Sequence, residues 1–224
     1  MATVNENNVN RENQIEGSRI YYLGNDEKGL RVLIFGNSVT RHSPSIELGW
    51  SGDYGMAASS KENDYVHLLF SRLKQDGRNP YFSVSQASEF ESDFYKENAL
   101  DFLSDELIFN PEIIIVRLGD NVYPFEDENI FITSFKRLID ACKNEKTKVI
   151  VTGSYFKNRP IEPFLIKLCL KNGYSYLRLD DISEDEENQG DREKFTHEGV
   201  RLHPGDKGMR IIADRIYTAI NEIL

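Results

Sequence analysis

The stretch RVLIFGNSVTRH, residues 31–42, decides the fold. Val32, Leu33, Ile34 and Phe35 form a continuous apolar run that stops abruptly at Gly36-Asn37-Ser38. A strand with one wet face alternates apolar and polar side chains. A short unbroken run containing β-branched residues instead belongs to a strand covered on both faces, as parallel sheets require. Comparable runs recur at 81–84, 113–116, 149–151 and 174–179, each bounded by turn residues. SRIYYLG, residues 18–24, reads as one further short strand, closed by the turn-rich NDEKG.

Helical patterns fill the gaps. Tyr65, Leu68, Leu69 and Leu73 fall at helical spacing, with Gly77 as a stop. Phe131, Phe135, Leu138, Ile139 and Cys142 share one face, as do Met209, Ile212, Ala213, Ile216, Ile220 and Ile223. Strand–helix alternation predicts a three-layer α/β/α sandwich with helices on both faces of a parallel sheet and right-handed crossovers. The expectation is a five-stranded sheet in the order 2-1-3-4-5.

At 224 residues the chain fits a single α/β domain, and 39% hydrophobic residues suffice for a core. Residues 1–17 are polar and read as a flexible N-terminal tail, leaving 18–224 as the domain. The tail contains no apolar signal-peptide core and no run approaches a membrane span, which predicts a cytoplasmic protein. Lys and Arg number 27 against 37 Asp and Glu, a formal charge of −10. That balance argues against a nucleic-acid backbone or an anionic membrane as partner. Cys142 and Cys169 lie in apolar helical segments, which fits a reduced compartment and neither a disulfide framework nor a zinc cluster. The acidic run DDISEDEENQGDRE reads as a solvated loop.

In an open parallel sheet, ligands sit beyond the carboxyl ends of the strands. Ser38 follows the run at 32–35, Asn121 follows the run at 113–116 in RLGDNV, and His203 precedes the last helix in HPGDKGM. All three therefore fall on one edge. A serine hydroxyl becomes a useful nucleophile when an imidazole accepts its proton, and an amide can stabilise the oxyanion that follows. Taken singly, each residue has a plainer reading: a turn serine, a turn-capping asparagine, a surface or core histidine. His42 and His197 share the same edge and compete with His203 for the role of base.

FGNSVT, RLGDNV and HPGDKGM, in that order, resemble the separated sequence blocks of the SGNH (GDSL-type) hydrolases, esterases and lipases on a flavodoxin-like sandwich. The resemblance spans residues 31 to about 220. It implies metal-free, cofactor-free hydrolysis of an ester, with Ser38 as nucleophile, His203 as base and Asn121 as an oxyanion donor. It further implies a small-molecule or carbohydrate ester as substrate, with a short acyl group, especially acetyl on sugar, as the first expectation. It leaves the oligomeric state open.

Asn37 stands where the family commonly has aspartate, a slight departure, and two further positions depart more. The glycine expected after the second strand is missing, and Glu91 is nearest by offset, so its backbone N–H is the expected second oxyanion donor. The aspartate expected three residues before the histidine is replaced by Val200. Glu198 is assigned as the acid, with a backbone carbonyl or Asp180, Asp181 or Asp191 as alternatives. The long loop at 41–60 carries Trp50, Tyr54 and Met56, either as a plug over the sheet or as a wall of the substrate site. A non-catalytic binding module on the same scaffold is the competing reading. A nucleotide site is disfavoured by the lack of a glycine-rich loop.

Overall fold

The run at 32–35 is a central strand, β2 (Arg31–Gly36), and its two faces feed two separate cores. Val32 and Ile34 point into one, Leu33 and Phe35 into the other, and all four are fully buried. This is why no polar residue interrupts the run. The computed structural model describes residues 14–25, 28–122, 127–157 and 159–224.

β2 pairs in parallel with β3 (Tyr81–Gln86) on one side and β4 (Ile113–Arg117) on the other. β5 (Lys148–Thr152) and β6 (Ser175–Leu177) continue the sheet in parallel. These five strands have the expected order. The sheet nevertheless has six strands, because β1 (Ile20–Leu23) pairs antiparallel with β3 and forms the outer edge. The short strand read at 18–24 thus joins the main sheet, correcting the expected count.

One face is covered by α1 (Tyr65–Gln75) and α7 (Asp206–Ile223), whose Leu69, Leu73, Ile212 and Ile216 meet Val32 and Ile34. The other carries α2 (Ser88–Asp93), α4 (Glu128–Cys142) and α5 (Glu162–Asn172). Phe90, Phe131, Phe135 and Leu165 fill that core. Two single-turn helices, α3 (Asp105–Ile108) and α6 (Glu198–Arg201), complete the elements named here.

Residues 1–13 of the expected tail lie outside the described residues. Gln14, within that segment, is buried, and its carbonyl accepts from the Ser43 N–H at 2.7 Å. The loop at 41–60 folds back as a plug. Trp50, 3% exposed, packs edge-on against Tyr54 at 5.1 Å and lies 5.8 Å from Phe195. Its indole N–H donates to the His42 carbonyl at 2.9 Å. Phe195 and Val200 close this small apolar cluster, which ties the plug to the segment carrying His203. The acidic loop is laced to α7: Asp181 pairs with Arg215, and Lys207 with Asp185 and Glu187. No helix among the described residues is long and apolar enough to cross a membrane.

Candidate active site

Beyond Gly36, β2 breaks into a tight turn. The Asn37 carbonyl accepts from the N–H groups of Thr40 and Arg41, and its side-chain oxygen from the N–H of Val39. Gly36 is required: a Cβ there would sit 1.9 Å from Thr40 Oγ1, which is engaged with the Tyr65 hydroxyl at 2.7 Å. The turn sets Ser38 at the carboxyl end of the sheet, where Met56 N–H donates to its carbonyl.

His203 arrives from the opposite end of the chain. The residues before it form α6, and those after it open α7. Gly190 N–H donates to both the Arg201 and His203 carbonyls, so the long loop at 180–202 braces this segment. The Ser38 hydroxyl lies 2.8 Å from His203 Nε2. His203 Nδ1 lies 2.6 Å from the Gly199 carbonyl. A carbonyl only accepts, so Nδ1 carries the proton, Nε2 presents its lone pair, and the serine hydroxyl donates to it. Both residues are almost fully buried. Burial, only partly opposed by the Gly199 hydrogen bond, lowers the His203 pKa from 6.5 to about 4. The imidazole is therefore neutral at physiological pH.

Asn121 stands after β4, in a turn that needs Gly119 at φ 133°, a backbone region open to glycine. Its amide donates to Glu91 Oε2 at 2.6 Å. The Asn37 amide reaches the same carboxylate at 3.1 and 3.2 Å, so Glu91 joins the turn bearing Ser38 to the turn bearing Asn121. Gly119 N–H also donates to Glu91. Burial and the charge of Asp120 push the Glu91 carboxyl up to about 7, against the hydrogen bonds that favour its ionised form.

Asp120 pins three strand ends together. It accepts from Asn37 at 2.9 Å, from Arg117 at the end of β4, and from the Ser154 hydroxyl and Tyr155 N–H after β5. Burial alone would raise its pKa. The Arg117 guanidinium and these hydrogen bonds hold it well below the usual carboxylate range.

Two expected assignments change. Glu91 meets the site through its side chain: as the fourth residue of α2, its N–H is turned back along the helix toward the Ala87 carbonyl. His203 Nδ1 meets the Gly199 carbonyl rather than the Glu198 carboxylate. The Glu198 carboxylate is 59% exposed and lies 3.5 Å from Arg201. Of the alternatives, Asp180 pairs with Arg178 and Asp181 with Arg215. His42 is buried with Nδ1 on the Ser43 carbonyl at 2.6 Å, and His67 pairs with Asp64. His197 stands at the entry of α6. Asp120, Arg117 and Asn37 join the site without a motif of their own in the sequence. An arginine closing the otherwise apolar IIIVR run was the available signal. Among the described residues no cluster of three metal-ligating side chains occurs.

This sheet order is that of the SGNH (GDSL-type) hydrolase fold, and comparison with solved structures bears the fold out. The psychrotrophic esterase EstA of a Pseudoalteromonas species is 14% identical, aligning over 86% of this chain and 97% of its own at a TM-score of 0.55. A protein described as a GDSL-like lipase from Parabacteroides merdae is 15% identical over 89% of this chain and 99% of its own, TM-score 0.57. A two-domain esterase active on acetylated mannans, co-crystallised with mannopentaose, is 17% identical over 87% of this chain and 50% of its own, TM-score 0.58. No protein-family model and no curated protein sequence matches the chain.

Proposed function

We propose that this protein is a serine ester hydrolase working through an acyl-enzyme on Ser38. The observation that carries the reading is the Ser38–His203 contact at 2.8 Å with Nδ1 held by the Gly199 carbonyl. Ser38 Oγ attacks the ester carbonyl while Nε2 takes its proton. The imidazolium then returns that proton to the departing alkoxide, and water deacylates the serine by the same route in reverse. The oxyanion is bound by the Asn121 amide and the Ser38 N–H, donors on two strand-end turns that Glu91 links. One such donor contributes on the order of 3 kcal/mol in the transition state.

The base is a dyad with a carbonyl in place of the usual carboxylate. That dipole fixes the tautomer and ring, but it stabilises the imidazolium less than a full charge would. The proposed substrates are short acyl esters, acetyl on carbohydrate first. Two observations support this: Trp50 and Met56 are packed into the plug rather than lining a long apolar channel, and one protein of this fold acts on acetylated mannans. The test is acetate release from acetylated oligosaccharides and p-nitrophenyl acetate, set against a long-chain p-nitrophenyl ester. Acetyl esters should be turned over in preference, and Ser38→Ala should abolish turnover. Full activity in a folded Ser38→Ala protein would defeat the proposal.

A further inference from the structure

Glu91 is a carboxylate with no solvent exposure, set on the apolar face of a short helix, and among the described residues its carboxylate is met by N–H donors alone. Gly119 and Asn121 offer backbone N–H groups, and Asn37 and Asn121 offer side-chain amides. A structural carboxylate in a turn commonly serves one segment. This one gathers the end of β2, the end of β4 and α2, holding Asn37, which precedes the proposed nucleophile, and Asn121, the proposed oxyanion donor.

We propose that the Glu91 carboxylate is a positioning residue for oxyanion stabilisation, acting through Asn121; this rests on the hydrolase reading above. A planar amide has two diverging N–H bonds. With one committed to Glu91, rotation about its Cβ–Cγ bond is fixed and the orientation of the whole group is set. Asn37, held by the same carboxylate, keeps the neighbouring Ser38 turn in register with it.

The arrangement needs the ionised form. A proton on either oxygen would have to face N–H donors already pointing there, so protonation breaks at least one of these contacts. Among the described residues, the charged groups facing the carboxylate are Asp120 and Arg117, both from β4 and its following turn; burial raises the Glu91 pKa most and Asp120 raises it further, to about 7. His203, by contrast, titrates at about 4. Two acidic limbs should therefore appear in the pH dependence of kcat/KM, and the upper one belongs to Glu91. As pH falls through the upper value the oxyanion donors loosen, and as it falls through the lower one the base is lost.

The experiment measures kcat and KM for p-nitrophenyl acetate from about pH 4 to 9 in the wild type and in Glu91→Gln, with labelling by a serine-reactive phosphonate alongside. The glutamine keeps size but places an NH2 against N–H donors. The expected result is a wild-type limb near pH 7, and in the variant a kcat lowered about 10- to 100-fold with KM little changed, the upper limb gone and the lower one kept. A wild type active and labelled at Ser38, but with no limb near 7, overturns this role, and that measurement needs no variant to fold. So does a variant with wild-type kcat and profile. Absence of both turnover and labelling in the wild type overturns the hydrolase reading itself.

Discussion

Among the described residues the Nδ1 proton of His203 has one acceptor, the Gly199 carbonyl at 2.6 Å, and that hydrogen bond decides which nitrogen faces Ser38. Glu198, one residue earlier, is turned toward Arg201 and largely exposed. Removing its charge in Glu198→Gln should leave kcat/KM within about twofold of wild type, since an exposed pair contributes little. Steady-state kinetics decide this, and a loss of tenfold or more would return the acid role to Glu198. His203→Ala should cost several orders of magnitude in kcat, with phosphonate labelling of Ser38 slowed in parallel. An unchanged rate in that variant would remove His203 from the chemistry. The sequence left a backbone carbonyl among the alternatives but could not single it out, because a backbone oxygen has no residue identity and its direction depends on how α6 begins. Glu91 was more legible than its assignment implied. Ala87, Phe90, Glu91 and Phe94 fall at i, i+3, i+4 and i+7, which puts an acidic residue on an apolar helical face.

At the scale of elements, the strand-end turns and the plug carry the site. Gly36→Ala would drive a Cβ into Thr40, so the turn bearing Ser38 must shift; the expected cost is about 1–3 kcal/mol, with turnover falling along with it. Trp50→Ala separates the two readings of the loop at 41–60. As part of a plug, it should cost about 3–5 kcal/mol of stability by urea unfolding and lower kcat by displacing the Phe195–Val200 segment that leads to His203. A change in KM alone, with unaltered stability, would make Trp50 a substrate wall. The parallel strands were readable because burial on both faces leaves continuous apolar runs, as at residues 113–116. The direction of β1 was not. A four-residue strand pairs either way by composition, and its antiparallel register with β3 is settled only by where the chain enters the sheet.

At the scale of the whole molecule, Asp120 and Glu91, two of its buried carboxylates, act on stability in opposite directions with pH. The Asp120 pKa is depressed, so its contribution is present above the unfolded carboxylate value and is lost only as pH falls through a very low folded value. The Glu91 pKa is raised from 4.5 to about 7, so its contribution is present below 4.5 and is lost as pH rises through about 7. The wild-type Tm should therefore fall between about pH 5 and pH 7.5 more than that of Glu91→Gln. Equal falls in the two proteins would mean that Glu91 does not titrate in this window.

The edge where β2, β4 and the His203 segment converge is proposed to be an acyl-transfer site with Ser38 as its nucleophile. The most direct test is intact-protein and peptide mass spectrometry after exposure to a p-nitrophenyl alkylphosphonate. One adduct per chain, located on Ser38, absent from Ser38→Ala and much slower to form in His203→Ala, is the predicted result. A wild-type protein that remains unmodified, or is modified at another residue while Ser38 stays free, would contradict the account.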